Sequence, residues 1–189
     1  MATKKKVAKK KATKKKAAPK QVSQEAMMAA WQKVMAPSEG HARLEPIVGS
    51  WKTRTTFVME PGGKPDTSEG TSEHRWVVGG RFVEQVYKGT SMGMPFEGLG
   101  FTGYDNCQKK YVGTWMDSFG TGIMDSIGVG KPKPNEMNFA AKAIDPMGKP
   151  MNFDCKVKIQ DRDHHTYEMW TKAPNGRRYR MMIVEYSRA

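Results

Sequence analysis

From Pro46 onward the chain alternates apolar and polar residues with a period of two, in one short run after another. No other feature constrains its fold as tightly. Trp51, Thr53, Thr55, Phe57 and Met59 alternate with Lys52, Arg54, Thr56, Val58 and Glu60. Met151, Phe153, Cys155, Val157 and Ile159 alternate with Asn152, Asp154, Lys156, Lys158 and Gln160. This is the pattern of antiparallel strands with one face in a core and the other in water. Further runs of strand length cover 69–78, 81–88, 96–104, 109–117, 121–129, 136–144, 165–172 and 178–187. Turn chemistry separates them at Gly79-Gly80, Asp105-Asn106, Pro146-Met147-Gly148 and Asn175-Gly176. About ten short strands with no long helix between them exclude a parallel sheet. They predict an all-β fold, an antiparallel up-and-down barrel in preference to a sandwich, because closure removes edge strands.

The first twenty residues obey different physics. They hold ten lysines and no acidic residue: Lys4, Lys5, Lys6, Lys9, Lys10, Lys11, Lys14, Lys15, Lys16 and Lys20. The whole chain has 32 basic and 19 acidic residues; without those ten lysines the balance is 22 against 19, a net of +3. The charge therefore belongs to the tail. Like-charge repulsion and the lack of an apolar stripe predict a segment that is disordered when free. Its composition resembles the Lys/Ala-rich tails of linker histones and bacterial histone-like proteins, which implies binding to nucleic-acid phosphates. Counterion release gives such binding a salt slope of at most about −9 for ten lysines. The run lacks Arg, Asn and Gln before Gln21, so it carries nothing suited to reading base edges. The alternative is a solubilising tail with no defined partner.

Between tail and strands, Ser23 suits an N-cap and Glu25 the first turn of a helix. Ala26, Met27, Ala30, Trp31, Val34 and Met35 follow at helical spacing up to Pro37. The Met27–Trp31–Met35 stripe is expected to pack on the barrel. The chain thus divides into a tail over 1–22, a helical lead-in over 23–46 and a barrel over 47–189. Two cysteines, Cys107 and Cys155, make no disulfide framework and suit a reducing compartment. No stretch reaches the roughly 20 apolar residues of a membrane helix, and the N-terminus lacks the apolar core of a secretory signal. The expected location is the cytoplasm, with the nucleoid as an extension of the tail reading.

The strand start Gly49-Ser50-Trp51 resembles the Gly-x-Trp signature of calycin (lipocalin-like) barrels. Gly93-Met94-Pro95-Phe96-Glu97-Gly98, Gly103-Tyr104-Asp105, the Trp115–Gly122 segment and His165-Thr166-Tyr167-Glu168-Met169 add to it. Together they resemble a bacterial domain-of-unknown-function family among the calycin-like barrels, over residues 38–188. The resemblance implies a small barrel with an apolar interior. It carries no catalytic residue, because that family has no established activity. The nitrobindins, a related haem-binding barrel type, share the short helix and the Gly-x-Trp strand, and the parallel stops there.

Several constellations invite a function. Gly98-Leu99-Gly100-Phe101-Thr102-Gly103 spells G-x-G-x-x-G, but Tyr104-Asp105-Asn106 follows it instead of a helix, so a sharp strand bend explains the glycines better than a dinucleotide. Asp161, Asp163, His164 and His165 share a hairpin loop, where acidic and polar residues are ordinary; no metal site is assigned to them. His74 shares parity with Trp76 and Val78 and so points inward. No cofactor is predicted; haem is the alternative, with His41, His74, His164 and His165 as its candidate ligands.

No nucleophile–base pair or paired carboxylate stands out, so an enzyme of the barrel mouth is the weakest reading. The leading one is a barrel that binds a small apolar or amphipathic molecule. The candidate lining is Trp51, His74, Trp76, Tyr104, Trp115 and Tyr167, amid many methionines that adapt to varied apolar ligands. Barrels of this size are either filled by side chains or hold one small ligand. The second reading is a nucleoid-associated protein acting through the tail.

Overall fold

The structure is a computed structural model and describes residues 22–131 and 133–189. The ten lysines of the tail lie outside the described residues. The chain divides into an N-terminal unit that ends at Lys33 and a unit Val34–Ala189.

Helix α1 (Gln24–Met35) starts where the Ser23 hydroxyl accepts the Ala26 N–H at 3.2 Å. It buries none of its residues, and Met27, Trp31 and Met35 are all exposed. Pro37 follows. Ser38 then caps the one-turn helix α2 (Glu39–Ala42) in a capping box whose second member is a histidine: the Ser38 N–H donates to His41 Nδ1 at 2.9 Å. A 3₁₀ turn (Glu45–Ile47) leads into the sheet.

Ten strands follow: β1 (Gly49–Phe57), β2 (Asp66–Val77), β3 (Phe82–Ser91), β4 (Met94–Asp105), β5 (Lys110–Asp117), β6 (Met124–Gly128), β7 (Glu136–Ile144), β8 (Pro150–Ile159), β9 (His164–Lys172) and β10 (Arg178–Arg188). Each pairs antiparallel with its neighbour in sequence, and β1 pairs with β10, so the sheet closes into an up-and-down barrel with no free edge. β6 is shorter than the run at 121–129 suggests, because Thr121, Gly122 and Ile123 belong to the loop before it.

The two ends differ. At one, β1 begins and β10 finishes, and α2 with the 3₁₀ turn forms a lid. Leu44 and Ile47 of that lid are buried in one cluster with Val83, Tyr111, Met137 and Phe139. At the other end, five loops join β1–β2, β3–β4, β5–β6, β7–β8 and β9–β10. The lid is also tied on from its N-terminal side. Asn106 Nδ2 donates to the carbonyls of Val34 (3.1 Å) and Ala36 (2.8 Å), and the Arg81 guanidinium donates to that of Met35.

Candidate functional site

Period-two alternation decides which side chains enter the barrel. On β1 these are Trp51, Thr53, Thr55 and Phe57; on β2, Ser72, His74 and Trp76; on β3, Val83, Gln85 and Tyr87. Cross-strand pairing carries the same face around the sheet to Trp115, Met124, Met151, Tyr167, Met182 and Tyr186.

Directly beneath the lid lies a polar layer. The Ile47 carbonyl accepts two hydrogen bonds, from Trp51 Nε1 at 3.0 Å and from His74 Nδ1 at 2.8 Å. A carbonyl only accepts, so His74 carries its proton on Nδ1 and presents a bare Nε2, which accepts from the Ser72 hydroxyl at 2.9 Å. Gln85 Nε2 donates to Ser72 Oγ and to the Tyr186 hydroxyl, both at 3.1 Å. His165 stacks on Tyr186 with ring centroids 4.1 Å apart and meets the Trp51 ring edge-on at 4.3 Å. Its Nδ1 is buried and has no partner among the described residues. Arg188 closes the layer: its guanidinium carbon lies 3.9 Å from the Trp51 ring centroid, and it donates to the carbonyls of Val48 and Arg162.

Burial sets the protonation of this layer. Desolvation is the largest cause at both imidazoles, lowering His74 to about 4 and His165 to about 3; the nearby Arg188 charge acts in the same direction. Both rings are neutral at physiological pH. Burial likewise raises the Tyr186 and Tyr167 phenols well above their ordinary range and Cys155 to about 11, so the thiol that accepts the Tyr167 hydroxyl at 3.1 Å is inert.

Beyond this layer, toward the five loops, the inward-facing side chains change character. Trp51, His74, Val83, Tyr111, Phe139, His165 and Tyr186 are buried, whereas Thr55, Phe57, Trp115, Met124, Met151 and Met182 point inward yet are only half-buried. Tyr167 combines strong desolvation of its hydroxyl with accessible surface elsewhere on the residue. This half of the barrel, the mouth, has an apolar lining that its own side chains do not fully cover. Trp115 has its place there because β4 offers no side chain against it. A Cβ at Gly98 would overlap the indole, and one at Gly100 would come within 2.9 Å of it. Trp115 Nε1 donates to Asp117 Oδ2 at 2.9 Å, which satisfies the indole next to the apolar wall.

The structure thus separates the residues expected to line a ligand site. Trp51 and His74 share the packed layer, with centroids 6.4 Å apart. Trp76 lies at the lid, donating to Glu45 Oε2 at 2.7 Å. Tyr104 lines an outer groove of about 250 Å³ with Ser38, Glu39, Gly40, Arg43, Lys109 and Tyr111. Trp115 and Tyr167 face the mouth. Ser72, Gln85, Tyr186 and Met182 were absent from the expected lining. Strand parity was the signal available for them, although an inward Ser or Gln reads as an outward one until its neighbours are known.

Of the four histidines, His74 and His165 meet in the polar layer, with ring centroids 5.9 Å apart. His165 faces inward, while His164 is exposed and bonds Asp161 Oδ1 at 2.9 Å, so the loop cluster at 161–165 splits. Among the described residues no three His, Cys, Asp or Glu side chains gather as a metal site. Haem ligation finds no fit either. His74 has both nitrogens engaged, His165 is clamped between Tyr186 and Trp51, His41 caps α2, and His164 lies on the outer surface. The G-x-G-x-x-G run is strand β4, and its glycines accommodate rings: Gly98 and Gly100 accept Trp115, while Gly103 accepts Phe82.

These features define a lidded, closed ten-strand antiparallel barrel with a polar floor and an apolar mouth. The chain belongs to the protein family of unknown function DUF1579, whose model matches residues 36–188. Among solved structures it resembles Rv2717c from M. tuberculosis, with a TM-score of 0.61 at 16% identity over 82% of this chain and 99% of that one. At that identity the likeness concerns the fold. Fainter likenesses are to a redesigned β-barrel (TM-score 0.43, 14% identity, 81% and 99% covered) and to EF1p2_mFAP2b bound to DFHBI (0.44, 11%, 80% and 100%). No curated protein matches the chain.

Proposed function

We propose that the barrel binds one small apolar or amphipathic molecule in its mouth half, between the five loops and the polar layer. One observation carries this reading: Thr55, Phe57, Trp115, Met124, Met151 and Met182 face inward and still keep accessible surface, whereas Trp51, His74, His165 and Tyr186 of the layer under the lid are buried. Apolar surface that a protein leaves uncovered inside a fold is surface that a ligand can cover. Three of the six are methionines, whose unbranched chains adapt to irregular ligands. The Thr53, Thr55 and Tyr87 hydroxyls, within 3.4 Å of one another through Tyr87, offer a polar end deeper in. The neutral imidazoles of the floor supply no charge, which favours an uncharged head group.

The test is titration with an environment-sensitive apolar dye, in the full chain and in Ala143→Trp. Ala143 faces the same interior opposite Met151, so a tryptophan there fills the mouth. Saturable uptake that the substitution abolishes supports the reading, and no uptake by either chain sinks it.

A second reading rests on the ten lysines within residues 1–20: attachment to nucleic acid in the cytoplasm. It uses a different part of the chain, and its test is the salt dependence of DNA binding with and without those residues.

A further inference from the structure

One wall of the barrel lacks side chains where an interior ligand would need room. Gly70 on β2 opposes the inward-facing Thr53 and pairs on its other side with Gly89 on β3. Gly98 and Gly100 on β4 oppose the inward-facing Tyr87 and Gln85. Glycine weakens a strand, and four of them on the inner face of three adjacent strands mark a close approach to that wall. What approaches is two aromatic rings. A Cβ at Gly98 would overlap the six-membered ring of the Trp115 indole, and one at Gly100 would stand 2.9 Å from its Cε3. A Cβ at Gly70 would lie 2.6 Å from the Tyr87 hydroxyl, and one at Gly89 would lie 3.1 Å from it.

These contacts fix how the rings lie. One indole meets two glycines of the same strand, and it does so through atoms on opposite sides of its six-membered ring: Cζ2 and Cη2 at Gly98, Cε3 and Cζ3 at Gly100. Trp115 therefore lies flat along β4, with one face on the backbone and the other toward the lumen. Tyr87 leans over Gly70 and Gly89, and its hydroxyl reaches those of Thr53 at 3.3 Å and Thr55 at 3.4 Å. Tyr87 is buried in this seat, whereas Trp115 keeps accessible surface. Side chains in place of the glycines would push both rings into the lumen. In the ring of ten strands β8 stands across from β3, and β10 across from β5. Their inward residues there include the half-buried Met151 and Met182. The mouth half thus has a flat aromatic wall on one side and adaptable thioethers on the other.

We propose that the ligand of this mouth is an uncharged planar aromatic ring system bearing a hydroxyl or similar hydrogen-bonding group. The ring lies on the free face of Trp115, with Met151 and Met182 against its other side, and the polar group meets the Thr53, Thr55 and Tyr87 hydroxyls. This rests on the interior-ligand reading and narrows it to a chemical class. A flat indole rewards a flat partner, because offset stacking adds to plain burial of area. Thioether sulfurs make favourable contacts with aromatic rings as well. A puckered saturated skeleton touches the same wall at fewer atoms, and dispersion falls steeply with each gap. Trp115 is accordingly the residue that sets the preference for flat ligands, and Gly98 and Gly100 are the residues that position it.

The experiment titrates the full chain, by calorimetry, with 2-naphthol and with decahydro-2-naphthol. The two alcohols share a fused carbon skeleton and a hydroxyl, so burial of apolar area alone gives the flat one no advantage. The expected result is binding of 2-naphthol about ten-fold or more tightly than its saturated counterpart. Trp115→Leu, checked for an unchanged circular dichroism spectrum, keeps an apolar wall without a ring face, and the preference should fall to about two-fold or less. Equal affinity of the two alcohols in the full chain overturns the proposal, and so does a preference that survives Trp115→Leu. The first of these comparisons needs no substitution, so it decides even where the variant does not fold. Uptake of an environment-sensitive apolar dye by a chain with no preference for the flat alcohol sinks this proposal and leaves the interior-ligand reading standing. No uptake of the dye or of either alcohol sinks both.

Discussion

Acid should destabilise this barrel well before its carboxylates protonate. His74 and His165 are neutral in the fold, at about 4 and about 3, against an ordinary value of 6.5. Between pH 7 and pH 5 the unfolded chain takes up a proton at each of these positions and the folded chain does not. Stability is therefore full above about pH 7 and falls as pH drops through 6.5, until the folded pKa values are reached. Integrating the uptake over that interval gives about 2 kcal/mol for each imidazole, or about 4 kcal/mol for both. Set against a total stability of about 5–15 kcal/mol, that is a large fraction. Urea denaturation from pH 7 to pH 5 reads it directly. His165→Phe separates the contribution of one ring. It preserves the stack on Tyr186 and the edge contact with Trp51, removes the unpartnered Nδ1, and should halve the loss to about 2 kcal/mol. It should also raise stability at pH 7 by about 1 kcal/mol, since an unsatisfied buried nitrogen costs that or more. A stability independent of pH over this interval would refute the account of the layer, as would a His165→Phe variant that keeps the full loss.

Other consequences follow from the same geometry. Gly98→Val drives a branched side chain into the Trp115 indole and should cost about 3 kcal/mol, while Gly100→Ala, with more clearance, should cost less; thermal melts compare them. Arg188→Ala removes the cover of Trp51 and two hydrogen bonds to carbonyls, and should cost about 2 kcal/mol in urea midpoint measurements without changing dye uptake at the far end. Cys107, exposed in the β4–β5 turn, should react with a thiol reagent in the native protein, whereas Cys155 should react only on unfolding. Deleting residues 1–20 should abolish salt-dependent DNA binding and leave the melting temperature of the barrel within about 2 °C.

The strand pattern made the fold readable because each residue's face is fixed by a period of two, whatever its neighbours are. Gly49-Ser50-Trp51 was legible as a signature, and the structure supplies its reason: Gly49 sits at φ 129° with the Arg188 guanidinium where a Cβ would stand. That reason lies 139 positions away along the chain and could not be read locally. The glycines of β4 were read as a bend. They are a seat for Trp115, which only the pairing of Gly100 with Trp115 reveals. His165 was grouped with Asp161 and His164 as a loop residue, although its parity with Tyr167 and Met169 already pointed inward. The candidate lining divided between floor, lid and mouth because parity gives the face of a strand and not the level along the barrel axis. That level depends on register, which the loops set jointly.

Native mass spectrometry of the full chain purified from its own host tests the central claim most directly. The account predicts a bound apolar or amphipathic molecule of one-to-one stoichiometry, absent from Ala143→Trp purified in the same way. A clean apo mass for the full chain, together with no uptake of an added apolar dye, would contradict it.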